Sequence, residues 1–444
     1  MNETNSDCAG TVCNPELFSF PPLKKRVVQA AFDGGDVSSD GGLALLRQVD
    51  RKLGLTKALA KVLPDPRDPN RTEHSLLSLV RQRIFGLALG YEDLNDHDTL
   101  RHDLCWQSAV EQINPLASSP TLCRFENRAD KKAMGLAHEI LLDQFVASFA
   151  QAPTELILDF DATDDRVHGQ QEKRFFHGYY GDYCFLPLYV FCGEQLLVSY
   201  LRPANIDAAR HAWGILKLLV QRLRAAWPDV KIIFRSDSGF CRWRMLRWCE
   251  KHDVGYVVGL AKNSRLLAKA RPWTEQAEKG FAEKKEKQRI FGEVQYAADT
   301  WDKERRVIIK AEHTDKGSNP RFVVTNLPGE AQTIYDKIYC ARGEMENRIK
   351  EQQLGLFADR TSCHDWWANQ FRLLLSSYAY VLIEAMRRIG LKGTELARAQ
   401  AGTIRLKLLK IGTVILRNSR RIRFLFSSAY PYREIFARVA KAFS

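Results

Sequence analysis

Three carboxylates in this sequence stand where folding could bring them to a single phosphate. Asp161 lies at the end of the apolar run Leu156-Ile157-Leu158-Asp159-Phe160-Asp161-Ala162-Thr163. Asp237 closes a second run, Lys231-Ile232-Ile233-Phe234-Arg235-Ser236-Asp237, after which Ser238-Gly239 turns the chain toward a helix. Glu346 sits in Tyr339-Cys340-Ala341-Arg342-Gly343-Glu344-Met345-Glu346. Hard divalent cations take oxygen ligands, and phosphodiester chemistry uses two such ions about 4 Å apart around one phosphate. A single acid at a strand end is ordinary, because Asp suits turns and helix caps. Three acids on three elements, one of them in a Tyr-Arg-Glu run, are harder to explain as turn residues. Asp159 and Asp161 are two apart on one strand and project to the same side. Tyr339, Arg342 and Glu346, three and four residues apart, share one face of a helix, with Glu344 off that face. The plain alternative for Arg342 and Glu346 is a surface i,i+4 pair of small value.

The pattern Asp161-x-Thr163, then Asp237, then Tyr339-x2-Arg342-x3-Glu346 resembles the bacterial insertion-sequence transposases of the DDE class that carry a Y-R-E-K signature. The resemblance spans the chain from about the thirtieth residue to its end. It implies an α/β fold: a ribonuclease-H-like mixed-sheet catalytic core, interrupted between the second Asp and the Glu by an inserted β-rich subdomain. It further implies Asp161, Asp237 and Glu346 as catalytic ligands of two Mg2+ ions, with Mn2+ able to substitute, and Asp159, Asp164 and Asp165 as outer groups. The implied partners are double-stranded DNA, as terminal inverted repeats and as target, and further copies of the chain in a synaptic complex. The implied reaction is attack of metal-activated water at the element's end, then attack of the freed 3'-OH on another phosphate. A hairpin intermediate would need a flipped base held by an aromatic, for which Trp301 and Trp273 are the candidates beside their plainer reading as packed core. Tyr339 and Arg342 are expected on the DNA phosphate. The family's Lys falls here on Gln353, and Lys350, one turn earlier, is expected to take over its phosphate contact.

Composition agrees with a polyanion partner. The 444 residues carry 66 Lys and Arg against 53 Asp and Glu, a net charge of +13. Residues 391–444 hold twelve Lys or Arg against only Glu395 and Glu434, so +10 of that excess lies in the last eighth of the chain. A concentrated basic region points to nucleic acid more strongly than a dispersed one would. The ten cysteines include no C-x-x-C pair, which favours buried reduced thiols over a disulfide or zinc framework. The first fifteen residues lack an apolar signal core and no run of about 18 apolar residues occurs, so a soluble, unsecreted protein with no membrane partner is expected, and the resemblance implies a cytoplasmic, nucleoid-associated bacterial one.

Five regions must position these groups. Residues 1–26 are expected to be disordered, and 27–150 to form a mainly helical DNA-end-binding domain, with Leu76, Leu77, Val80, Ile84, Leu87 and Ala88 at helical spacing and Gly90 as a C-cap. Residues 151–262 and 329–390 read as the catalytic core, in the order of three strands, a helix, a strand, a helix and a strand. Residues 263–328 read as the β-rich insertion and 391–444 as the basic C-terminal region, with Thr403 to Ser427 alternating like a hairpin. His97, Asp98, His102 and Asp103 suggest a metal site only weakly, since only Asp98 and His102 share a face. Two other functions fit the same acids: a nuclease or resolvase without transposition, and a decayed DNA-binding derivative. The second is disfavoured because all three acids are present.

Overall fold

The computed structural model describes residues 16–444. The disorder expected over 1–26 lies mostly outside these residues. Where the two overlap the expectation fails, because Phe18–Leu23 and Arg26–Ala30 pair as an antiparallel hairpin.

The centre of the molecule is a mixed sheet. Its strands are β1 (Glu155–Ala162), β2 (Leu188–Cys192), β3 (Gln195–Tyr200), β4 (Lys231–Ser236), β5 (Val254–Leu260), β6 (Gln288–Tyr296), β7 (Arg305–Thr314) and β8 (Arg321–Thr325). The spatial order is β6-β7-β8-β5-β4-β1-β2-β3. Within it, β1, β2 and β3 form an antiparallel meander, while β4 and β5 run parallel to β1. That arrangement, third-second-first-fourth-fifth with the second strand reversed, is the ribonuclease-H-like core expected from the element order.

Strand alternation sorts the side chains. Leu156, Leu158 and Phe160 of β1 and Ile232 and Phe234 of β4 face one side, under α3 (Ala212–Ala226) and α4 (Trp243–Lys251) once α1 (Leu76–Leu89) and α2 (Lys131–Ala147) have preceded them in the chain. The rings of Phe160 and Phe234 meet edge to face at 5.1 Å on that side. Burying a side chain of this size contributes about 1.5–3 kcal/mol. Ile157 and Ile233 face the other side, against Ile334 and Tyr335. Asp159, Asp161, Arg235 and Asp237 follow the same alternation and project toward the helical run that carries Glu346.

Residues 263–328 differ from the expected β-rich subdomain in two ways. They open with a 21-residue helix, α5 (Ser264–Lys284), capped by the Asn263 side chain. Their strands then continue the central sheet, since β8 pairs with β5 at Val258↔Val324.

The helical N-terminal region has no core of its own. Helix α1 starts at Ser75, whose Oγ accepts from the Ser78 amide at 3.2 Å, and ends at Gly90 with φ 94°. It is buried nearly all round and packs against α7 (Trp366–Ala385), which follows α6 (Gly343–Lys350) in the chain. Leu43, Leu79, Phe85, Phe371, Leu408 and Phe443 belong to one continuous apolar cluster. Close approach of Gly42 to the C-terminal segment seals it: an added Cβ would stand 1.8 Å from the Leu408 carbonyl oxygen. The C-terminal alternation is also partly corrected. Residues 401–409 are helical, and only Thr413–Arg417 and Ile422–Phe426 form the hairpin, with Val37–Ser38 as a third strand.

Candidate active site

Register sets the first two acids side by side. Ser236 of β4 pairs with Phe160 of β1, so Asp161 and Asp237 each stand one residue beyond a matched pair at the same end of the sheet. Asp237 caps the turn that follows, its Oδ1 accepting from the Gly239 amide at 2.9 Å. The third acid arrives on a helical run from Ala331 to Gly355, in which α6 is flanked by π-helical turns at Ile334–Tyr339 and Glu351–Gly355. Such turns are frequent at functional sites because they re-aim side chains along a helix. Met345 and Ile349 are buried, which turns Glu346 and Lys350 outward.

Arg342 joins two of the acids. Its Nη1 donates to Asp161 Oδ2 at 3.1 Å and its Nη2 to Glu346 Oε1 at 2.7 Å. Burial pushes the Asp161 carboxyl up to about 7; Arg342 opposes the shift, while the charges of Asp237 and Glu346 add to it. The register sets Asp237 beside Asp161, and Arg342 ties Asp161 to Glu346. The Tyr339 hydroxyl packs against the Asp237 turn, since a Cβ added at Gly259 would meet it at 2.6 Å and the Ser238 nitrogen at 2.9 Å. Burial raises the Tyr339 phenol above its ordinary range, with Asp237 contributing.

Two of the neighbouring acids are spoken for. Asp159 is buried and takes both donors of Arg235, opposite it on β4, with Arg235 Nη2 to Asp159 Oδ2 at 2.6 Å. Arg235 also donates to the Ile338 carbonyl, pinning the Glu346 run to the sheet. Asp165 is buried against the Thr361 hydroxyl at 2.8 Å. Glu344 is exposed and forms no ion pair among the described residues.

Gln353 is engaged elsewhere. Its amide donates to the Asp164 carbonyl at 3.0 Å, tying the far end of the run to the loop after Asp161. Lys350 is exposed and forms no ion pair among the described residues, so Glu346 is held by Arg342 and not by Lys350. Trp301 and Trp273 are not brought to the acids. Both pack in the apolar layer on the opposite face of the sheet. Trp301 stacks on Arg305, which pairs with Glu250 at the α4 end that leads into β5. Trp273 covers Gly292 of β6. His97 is fully buried beside Gln82 and Arg83, and Asp98 accepts from Ser119, so that cluster is structural. The i,i+4 pairing of Arg342 with Glu346 was legible in the sequence, whereas the Arg342 bond to Asp161 and the Asp159–Arg235 pair were not; the matched Asp159 and Arg235 positions at the two strand ends were the available signal for the latter.

The donor set suits a hard divalent cation: three carboxylates, two of them already gathered by a guanidinium that stands in for positive charge. Among the described residues only Glu172, His364 and Asp365, all exposed, bring three ligand atoms within 4.8 Å of one another. With Arg342 between Asp161 and Glu346, the candidate site is less contracted than that.

Residues 20–444 match a family model described as transposase DDE domain group 1. No curated protein matches the chain. A similar solved structure is the cryo-EM synaptic complex of piggyBac transposase with hairpin DNA, at 8% identity over 83% of this chain and 79% of that one, TM-score 0.42. No helix among the described residues is long and apolar enough to cross a membrane.

Proposed function

The chain belongs to the DDE transposase family and is a DNA transposase, a divalent-metal-dependent enzyme that cleaves and joins DNA, and from that premise we propose that Asp161, Asp237 and Glu346 are its catalytic carboxylates. One observation supports this most directly: residues far apart in sequence meet, with Asp161 and Asp237 at adjoining strand ends and Arg342 bonded to both Asp161 and Glu346. The three carboxylates would hold two ions, Mg2+ or Mn2+, which when bound activate the attacking oxygen and stabilise the leaving one.

The chain's own residues do the rest. Arg342 bridges Asp161 and Glu346 before loading, and once released its planar fork suits a non-bridging phosphate oxygen. Tyr339, wedged against the Asp237 turn, limits where that phosphate can lie. Lys350 presents an unpaired ammonium one turn beyond Glu346 and grips the strand on the far side. Arg235 and Asp159 hold the run in place without touching DNA. The DNA is the element's terminal inverted repeats and then the target, with further copies of the chain assembling the ends.

The test is cleavage and strand transfer by Asp161→Asn, Asp237→Asn and Glu346→Gln. Each is expected to lose at least about a thousandfold in rate, the several kcal/mol that an ion at the phosphate supplies, while end binding stays within a few-fold. Substantial cleavage by any one variant removes that residue from the set.

A further inference from the structure

Between β1 and β2 the chain leaves the central sheet and builds a small one of its own, directly after Asp161. Its strands are Asp165–Arg166, Phe175–His177 and Asp182–Phe185, with the last in the middle. This flap exposes rings that a sheet would ordinarily bury: Tyr179 is 87% exposed, Phe176 58% and Tyr183 47%. Phe176 and Tyr183 are cross-strand partners with ring centroids 5.7 Å apart. The guanidinium of Arg174 lies over the Tyr183 ring at 4.7 Å, and Tyr179 meets Tyr180 at 5.0 Å. Tyr180 and Ala162, the residue after Asp161, pack against the same small apolar cluster of Cys184, Leu186 and Ala204. The exposed rings therefore stand on a flap whose first strand begins four residues after Asp161 and whose base shares an apolar cluster with Ala162.

Contiguous exposed aromatics mark a binding surface. Cations interleaved with the rings narrow the choice. Lys173 lies over Trp366 at 4.7 Å, and neither Lys173 nor Arg174 pairs with a carboxylate among the described residues, whereas Arg166 is taken up by Asp164 and Asp182. Unpaired nucleobases are bound in this manner, by stacking on rings while cations follow the phosphates. We propose that Phe176, Tyr179 and Tyr183, with Arg174 and Lys173, form a stacking surface for unpaired DNA bases next to the scissile phosphate. The flap is the aromatic device that Trp273 and Trp301 are not placed to supply. It rests on the reading of Asp161 as catalytic, because that reading puts the scissile phosphate at the foot of the flap.

The test is binding without metal, using a duplex with a short single-stranded tail that contains 2-aminopurine and the same duplex made blunt. The wild-type chain is expected to prefer the tailed duplex and to quench the 2-aminopurine. The double variant F176A/Y179A should lose roughly tenfold of affinity for the tail with blunt-duplex binding within twofold, and Tyr179→Phe should behave as wild type because stacking needs the ring. No preference for the tail in wild type, an unaffected double variant, or an equal loss on both duplexes would each overturn the proposal. The result is separable from the catalytic reading, since no cleavage is measured. If Asp161→Asn cleaved normally, the triad would fail, while a lost tail preference in F176A/Y179A would still establish the stacking surface.

Discussion

Two arginine–carboxylate networks in this molecule use the same chemistry in different surroundings. Arg83 on α1 donates to Glu126 at 2.7 Å with both side chains 1% exposed, and Arg372 closes on the other Glu126 oxygen at 3.3 Å. Arg342 donates to Asp161 and Glu346 at similar lengths, but Glu346 is 48% exposed. In the enclosed network Arg83 turns its remaining donors to His97 and the Glu92 carbonyl, neither of which carries a negative charge, and removing Glu126 strands the guanidinium charge. The open one can exchange its guanidinium for a different cation, with solvent and substrate able to reach it. Accessibility, more than bond length, separates a pair that holds the fold from one that can take part in chemistry.

The comparison breaks most visibly on stability. Glu126→Gln should cost about 3–5 kcal/mol by leaving Arg83 and Arg372 uncompensated, read as a lowered urea midpoint. Glu346→Gln should leave that midpoint nearly unchanged while abolishing cleavage. An equal loss in both would mean that the open network is structural too.

The pH dependence sharpens the contrast by a few kcal/mol at most. The folded Asp161 carboxyl sits near 7, above its ordinary value of 3.8, so in the metal-free protein the stability it contributes is full below about 4 and is lost as pH rises through 7. Melting temperatures in chelator should therefore show Asp161→Asn gaining on wild type between those limits. A constant difference across that range would disprove the shift. A divalent cation should narrow the gap by favouring the ionised form.

At a smaller scale, Lys350→Ala should slow strand transfer by about tenfold, as removing a charged group from a phosphate does, at an unchanged melting temperature because the side chain is exposed. Full joining activity in that variant would return the phosphate contact to Arg342 or Arg348. Gln353→Lys should be neutral or nearly so.

The smallest effect concerns the basic C-terminus. Several of its cations serve the fold: Arg405 caps the Ala88 carbonyl at 2.9 Å and Lys410 pairs with Asp40 at 2.9 Å. Replacing the exposed Arg420, Arg421 and Arg423 by Gln should lower the slope of log affinity against log salt by about 0.9 for each phosphate no longer neutralised. An unchanged slope would move the DNA path elsewhere.

The central features were legible because they are local. Two apolar runs ending on acids gave β1 and β4, and the Tyr339, Arg342, Glu346 spacing gave a shared face. What escaped depends on packing. Ile404, Leu406 and Leu408 satisfy a strand period, yet Ile404 and Leu408 are also i,i+4, and the helix that forms buries those two and leaves Leu406 70% exposed. Strands β6 to β8 looked like a separate unit because pairing partners are not written in a strand's own sequence. Trp273 and Trp301 were plausible by type alone, whereas the exposed rings of the flap after Asp161 lie in a Gly- and Tyr-rich stretch whose strands were read only in part.

The shared core of the first and last helices sets an order of events during synthesis. A ribosome that has just released Glu346 has made every candidate catalytic carboxylate, but Leu43, Leu79 and Phe85 still await Phe371, Leu408 and Phe443. Contacts this distant in sequence close late. The newborn chain thus carries its three candidate carboxylates well before it has a body to hold them, and a chain cut short near its end would lack the Leu408 and Phe443 that complete the shared core.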